Sequence, residues 1–290
     1  MKYPVSRSAE GPWFDFETAS PDQAAIFMAE AALLTTTAIM ELYAETASFS
    51  SKTDGSPVTL ADERAEAIII GTLRREAKPI PLVAEEAVAA GDMPEIGRSF
   101  ILIDPLDGTK EFISRNGEFT VNIALIRDGA PRAGAVLAPA LGRLWFGGEN
   151  AYVCDVTPGG ALPKPNNWRA LRTRSVGPQM VAVASRSHAD LTTEEFLARL
   201  PVGERRRAGS SLKFCVLAEA DADVYPRFAP TMEWDTAAGD AVLRAAGGVV
   251  LSTEGGPLRY GKVSEKLRNS GFVAWGDHAA ATRFGSGNAS

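Results

Sequence analysis

Apolar residues recur every three or four positions after Pro21, at Phe27, Ala31, Leu34, Ala38 and Leu42, which predicts one helix running from Pro21 to about Ser48. A polar loop around Asp54 and Gly55 follows, and a second helix is expected from near Thr59. The pattern then changes. "IPLV" before Glu85 and "SFILI" before Asp104 are unbroken apolar runs of strand length, and the stretch from Phe119 to Gly148 reads as a meander turning at Asp128-Gly129 and Leu141-Gly142. Beyond the irregular "TPGGALPKPNNW", elements alternate: strand "MVAVAS", helix "TTEEFLARL", strand "ERRRA", helix "SSLKFCVLAEA", strand "DVYPRF", helix "TAAGDAVLRAAGG", then strands near Val249 and Phe272. This order predicts an α/β protein of layered sheets and helices, with no internal repeat and loose ends.

Composition narrows the class. The 290 residues are 45% hydrophobic, enough for a sizeable core. The division expected is an N-terminal extension over 1–20, an α+β subregion over 21–155 and an α/β subregion over 156–282, together one compact unit. A net charge of −6, from 30 basic and 36 acidic residues, argues against a nucleic-acid partner and favours a small molecule. Arg205-Arg206-Arg207 reads as a partly exposed strand, since three charges make a weak field in an acidic chain. Cys154 and Cys215 alone make neither a disulfide framework nor a zinc cluster. The N-terminus lacks a signal-peptide core and no run approaches eighteen apolar residues, so no integral membrane segment is expected. The reading is a soluble cytoplasmic protein, with peripheral association at the inner membrane and the oligomeric state left open.

Carboxylates stand where strands end or helices begin: Asp62 in "VTLAD", Glu85-Glu86, Asp104 and Asp107 in "DPLDGT", and Asp235 in "EWDTAAGD". Taken singly, Asp62 also fits the acidic arm of a capping box with Thr59, Asp235 a helix cap, and Glu85-Glu86 a solvated pair. The pair around Pro105 is harder to explain structurally, because the proline fixes the direction of the chain between the two acids. Oxygen donors with few histidines and cysteines suit Mg²⁺ better than zinc. Paired carboxylates also serve glycoside hydrolysis. Gly108 and Thr109 favour a phosphate ester instead, since glycine permits close backbone approach and the hydroxyl can hold a nucleophilic water. Phosphate monoesters hydrolyse very slowly unaided, and two divalent ions about 3.5–4 Å apart supply the missing charge stabilisation in such enzymes.

The segments "SPVTLAD", "EE", "DPLDGT" and "WDTAAG", in this order, resemble the lithium-sensitive, magnesium-dependent phosphatases of the inositol monophosphatase superfamily. The longer blocks "DPLDGTKEFISRNGEFTVNIALI", "SRSHAD", "GSSLKFC" and "DVYPRFAPTMEWDTAAG" are similar to its bacterial 3′(2′),5′-bisphosphate nucleotidase branch. The likeness runs from about Lys52 to Trp275. It implies a five-layer α/β sandwich, two or three Mg²⁺ ions, and conversion of adenosine 3′,5′-bisphosphate to AMP in sulfur assimilation. It further implies metal contacts from Glu85, Asp104, the Leu106 carbonyl, Asp107 and Asp235, with Asp104 bridging two ions. Gly108 and Thr109 would offer amides to the scissile phosphate, and Thr109 with Asp62 or Glu85 would orient the attacking water.

Ser210, Lys213, Arg227 and His188 match positions that contact the second, non-reacting phosphate in that branch, and Asp235 lies at the same pocket. Lys213 is placed in the first turn of a helix, where a cation opposes the dipole unless an anion compensates it. Asp240, one turn beyond Asp235, is open by spacing to the sugar or base pocket, and its role is not fixed by the sequence. Inositol monophosphatase, histidinol-phosphatase and fructose-bisphosphatase pockets remain alternatives on the same fold. A non-catalytic phosphonucleotide sensor is the alternative of another class. The aspartyl-phosphate phosphatases, with "DxDGT", differ in spacing by one residue.

Overall fold

The computed structural model describes residues 11–45, 49–51, 57–185 and 191–285. Helices α1 (Pro21–Leu33) and α2 (Thr36–Ala44) come first, then a hairpin of β1 (Phe49–Ser51) and β2 (Pro57–Thr59), and helix α3 (Leu60–Glu76). Strand β3 (Leu82–Ala84) runs into α4 (Glu85–Ala89), and β4 (Ser99–Asp107) into α5 (Thr109–Ile113). The meander is β5 (Thr120–Arg127), β6 (Ala130–Ala138), β7 (Arg143–Gly147) and β8 (Ala151–Asp155), closed by β9 (Arg169–Ala170). The rest is β10 (Met180–Ser185), α6 (Leu191–Ala198), β11 (Val202–Ala208), α7 (Leu212–Ala218), β12 (Val224–Arg227), β13 (Thr231–Met232), α8 (Trp234–Ala245), β14 (Val249–Ser252), β15 (Arg268–Asn269), β16 (Phe272–Trp275) and α9 (His278–Gly285).

The single helix expected from Pro21 is two. Thr35 and Thr36 each donate a side-chain hydroxyl back to a carbonyl of the preceding turn, Ala32 and Leu33, at 2.7 Å, and the chain breaks there. By length and apolarity the 21–44 segment would pass for a membrane span, which the apolar-run criterion did not register. It is a core element instead: Ala24, Phe27, Met28 and Ala31 are buried against the large sheet.

That sheet has seven strands in the order β3-β4-β5-β6-β7-β8-β9, all antiparallel except β3 beside β4. A second sheet has the order β11-β10-β12-β16-β14. Helices α1 and α3 cover one face of the first sheet, α8 and α7 fill the space between the sheets, and α6 and α9 lie on the far face of the second. The result is the five-layer sandwich that the sequence resemblance implied. Because helices cover both faces of the large sheet, its strands read as continuous apolar runs. On β4 and β5, Ile101, Ile103, Val121, Ile123 and Leu125 join the core under α1 and α3, while Phe100, Leu102, Ala124 and Ile126 join the core shared with α8. Helix α8 lies so close to β6 that a Cβ on Gly134 would come within 2.6 Å of the Ala238 carbonyl.

Candidate active site

Two carboxylates three residues apart on a regular strand would face opposite sides of the sheet. In β4 they do not. Asp104 pairs with Asn122 and Asp107 with Thr120, so two residues, Pro105 and Leu106, stand opposite Val121 alone. This bulge returns Asp107 to the face that Asp104 occupies, the one toward α7 and α8, and a proline is tolerated there because the ladder is already interrupted. Leu106 points the other way and is buried in the core under α1 and α3, which gives the apolar residue between the acids a packing reason. Its amide donates to Asp104 Oδ1 at 3.0 Å. Gly108 then takes a left-handed conformation, φ +91°, at the entry to α5.

The other acids arrive on separate elements. Glu85 opens α4 directly after β3, which runs parallel to β4. The buried Glu66 carboxylate on α3 accepts from the amides of Glu86 and Ala87 at 2.8 and 2.9 Å, anchoring the start of that helix. Asp62, on the first turn of α3, is the capping-box acid and also meets Thr109. Its Oδ2 accepts from Thr59 N and Oγ1 at 2.8 and 2.6 Å, and its Oδ1 accepts from Thr109 Oγ1 at 3.4 Å. Asp235 sits on the first turn of α8, with Oδ2 accepting from Met232 N at 2.9 Å.

Electrostatics ties these acids together. Burial drives the Asp104 carboxyl well above its usual range, and the charges of Glu85, Asp107 and Asp235 push it further. Burial likewise raises Asp235 strongly, with Asp107 and Glu85 adding to the effect. Asp107 is pushed up to about 6 by burial, partly offset by the Lys213 charge and the Ser211 hydroxyl. Asp62 is raised by burial against its Thr59 hydrogen bonds, with Glu85 contributing. Among the described residues no three such side chains stand close enough, as they are, to form a finished ligand set. Their oxygens are instead turned to Leu106 N, Ser211 Oγ and Met232 N. Opposite Asp104, the buried Asn122 Oδ1 has no hydrogen-bond partner among the described residues. Mutually repelling oxygen donors beside an unmet acceptor fit a hard, hydrated divalent cation.

A basic group borders the acids. Lys213, on the first turn of α7, is buried, with Nζ donating to the carbonyls of Ser210 and Ala208 at 2.6 and 3.4 Å and lying 5.3 Å from the Tyr225 ring centroid. Burial pushes its ammonium down to about 8, against the pull of Asp107. Arg227, half-buried at the end of β12, acts on both Lys213 and Asp235, and its Nε donates to Ala229 O at 3.3 Å. The Ser210 hydroxyl lies 2.8 Å from the carbonyls of both Asp107 and Glu118. His188 lies outside the described residues.

The place of Asp240, left open by its spacing from Asp235, is in the core. Its side chain is fully buried in an ion pair with Arg244, 2.5 Å at Nε and 2.9 Å at Nη2, and accepts from the Tyr260 hydroxyl at 2.9 Å. Position i+5 on a helix has turned away from Asp235 and toward the core. Conversely, Ser211, Glu66 and Asn122 were not singled out from the sequence. Single polar residues next to apolar runs carry no local signal of which distant group they will meet.

A layered α/β sandwich that gathers carboxylates at the ends of β3 and β4 and the start of α8 defines a metal-dependent phosphatase fold, and the chain belongs to the inositol monophosphatase family, whose model matches residues 21–282. Within it, the chain is 44% identical over 238 residues to a 3′(2′),5′-bisphosphate nucleotidase CysQ of Shigella flexneri, covering 81% of this chain and 92% of the relative. The CysQ of Escherichia coli K12 is 43% identical over 240 residues, with the same coverage. The crystal structure of CysQ from Bacteroides thetaiotaomicron superposes with a TM-score of 0.72 at 39% identity, over 86% of this chain and 96% of that one. An inositol monophosphatase from Zymomonas mobilis shares the fold, with a TM-score of 0.71 at 22% identity over 90% of this chain and 95% of that one.

Proposed function

We propose that the protein is a Mg²⁺-dependent 3′(2′),5′-bisphosphate nucleotidase that hydrolyses adenosine 3′,5′-bisphosphate to AMP and phosphate, the salvage step of sulfur assimilation. The observation that carries this reading is the β4 bulge, which sets Asp104 and Asp107 on one face toward Glu85, Asp235 and the Thr109–Asp62 pair. CysQ relatives at more than 40% identity support the substrate.

Glu85, Asp104, Asp107, Asp235 and the Leu106 carbonyl would hold two or three Mg²⁺ ions. When bound, these ions supply Lewis-acid charge stabilisation and lower the pKa of bound water. The remaining chemistry belongs to the chain. Asp62, held by Thr59, fixes the Thr109 hydroxyl, and that pair orients the attacking water and takes up its proton. The Gly108 and Thr109 amides face the scissile phosphate where α5 begins. Lys213 and Arg227, with Ser210 and His188, receive the second phosphate. Binding energy there orients the reacting group, so its loss lowers turnover as well as affinity.

The direct test is phosphate release by the purified protein with Mg²⁺, comparing adenosine 3′,5′-bisphosphate with inositol 1-phosphate at equal concentration. The expected result is a kcat/KM at least about tenfold higher for the nucleotide, since one charge-assisted contact contributes about 1.5–3 kcal/mol. A preference for inositol phosphate would retain the metal chemistry and reject the substrate. Lys213→Ala is expected to lower kcat/KM for the bisphosphate about ten- to a hundredfold more than for AMP-sized monophosphates. Equal losses on both would remove Lys213 from the second-phosphate site. The ratio is unaffected by any loss of folded protein.

A further inference from the structure

The two halves of the proposed metal-binding set lie far apart in sequence, and one small side chain touches both. Ser211 is 1% exposed, and its Oγ lies 3.2 Å from Asp107 Oδ2 and 2.9 Å from the Asp235 carbonyl, so its single proton is shared between them. Serine at a helix N-cap ordinarily turns its oxygen to an amide of its own helix. Ser211 is the N-cap of α7, yet makes no such bond. Its hydroxyl is committed across the molecule instead.

The segment before it is held just as firmly. Gly209 N donates to Glu118 Oε2 at 2.8 Å, and Ser210, itself in a left-handed conformation at φ +48°, places its hydroxyl 2.8 Å from the Asp107 and Glu118 carbonyls. Residues 209–211 are therefore stitched to the strand-to-helix turn that carries Asp107. Ser211 extends that stitch to the first turn of α8, where Asp235 sits.

We propose that Ser211 is a positioning residue that fixes the Asp107 carboxylate against the start of α8, so that the acids of the two subregions meet a divalent cation in one preset arrangement. The inference rests on reading Asp107 as a metal ligand. Hydrogen-bond partners that orient ligands typically change metal affinity ten- to a hundredfold when removed.

The test is Mg²⁺ binding to the full chain by titration calorimetry, without substrate, alongside the Mg²⁺ concentration that half-activates phosphate release. Ser211→Ala is expected to weaken Mg²⁺ binding at least about tenfold and to move the activation midpoint by the same factor. Ser211→Cys, close in volume but a weak donor, should do likewise, and serves if the alanine variant does not fold. Ser211→Thr keeps the hydroxyl and is expected to bind Mg²⁺ within about threefold of the parent chain, a rescue that a purely structural role would not produce. Parent-like Mg²⁺ affinity in the cysteine or alanine variant overturns the inference. Asp107→Asn separates the two levels. If it loses Mg²⁺ binding while the Ser211 variants do not, only the role of Ser211 falls. If it binds Mg²⁺ like the parent chain, the reading of Asp107 as a ligand falls first.

Discussion

Asp104→Asn is expected to abolish phosphate release, by at least about a thousandfold, while making the metal-free protein more stable at pH 8. Both effects come from the same buried charge. Asp104 is 1% exposed, and burial together with the charges of Glu85, Asp107 and Asp235 holds its carboxyl well above the normal range. A carboxyl whose folded pKa is raised keeps its proton in the folded state at pH values where the unfolded chain has lost it. Stability contributed by this group is therefore present at low pH and declines as pH rises from the unfolded value of about 4 through the folded one. Asparagine removes that penalty and also removes an oxygen anion from the site.

Thermal melts in EDTA at pH 5 and pH 8 should show the parent chain losing stability toward pH 8 and the variant losing less. Adding Mg²⁺ at pH 8 should raise the melting temperature of the parent chain and leave that of Asp104→Asn nearly unchanged, because only the parent gains binding free energy from the ion. Melting curves that respond to Mg²⁺ equally in both would remove Asp104 from the ligand set.

Gly108→Ala is the second large effect. The residue lies at φ +91° and ψ +46°, a conformation that costs an L-side chain about 1–2 kcal/mol, and an added Cβ would collide with Ser210 Oγ and come within 3.2 Å of Glu111 Oε2. The turn joining Asp107 to Thr109 must then shift. Displacement of catalytic groups by about 1 Å can cost a hundredfold in rate, and kcat is expected to fall by at least that factor. Ser210→Gly in the same chain removes the colliding oxygen and suits the left-handed backbone at that position. Ser210→Gly alone is expected to lower kcat through the second-phosphate site, so the double variant should lose less than the product of the two single losses, which a double-mutant cycle reads as coupling between two residues 102 positions apart in the chain. Full activity in Gly108→Ala alone would show that the turn has room to spare.

Much of the fold was legible because both sheets obey simple patterns. The apolar runs at Ile101, Thr120–Arg127 and Met180 became central strands, and the helices expected from near Thr59, at "SSLKFCVLAEA" and at "TAAGDAVLRAAGG" are α3, α7 and α8. The errors have local causes: three consecutive threonines bent one expected helix into two, and the helix of five residues after Glu85 is too short for its periodicity to register. Asp62 was ambiguous between cap and site in the sequence, and in the structure one carboxylate oxygen serves the cap at Thr59 while the other meets the Thr109 hydroxyl.

By itself the sequence determined the order of the main elements, the gathering of acids where strands end and helices begin, and the family to which the motifs belong, because apolar periodicity and short motifs are properties of neighbouring residues. Only the tertiary structure decided that Asp104 and Asp107 share a face, since the bulge that turns them is defined by pairing with β5. It also decided that Asp240 belongs to an internal ion pair and that Ser211 joins Asp107 to α8. Those outcomes depend on which distant surfaces meet when the two sheets close around α7 and α8, and no local spacing encodes such a meeting.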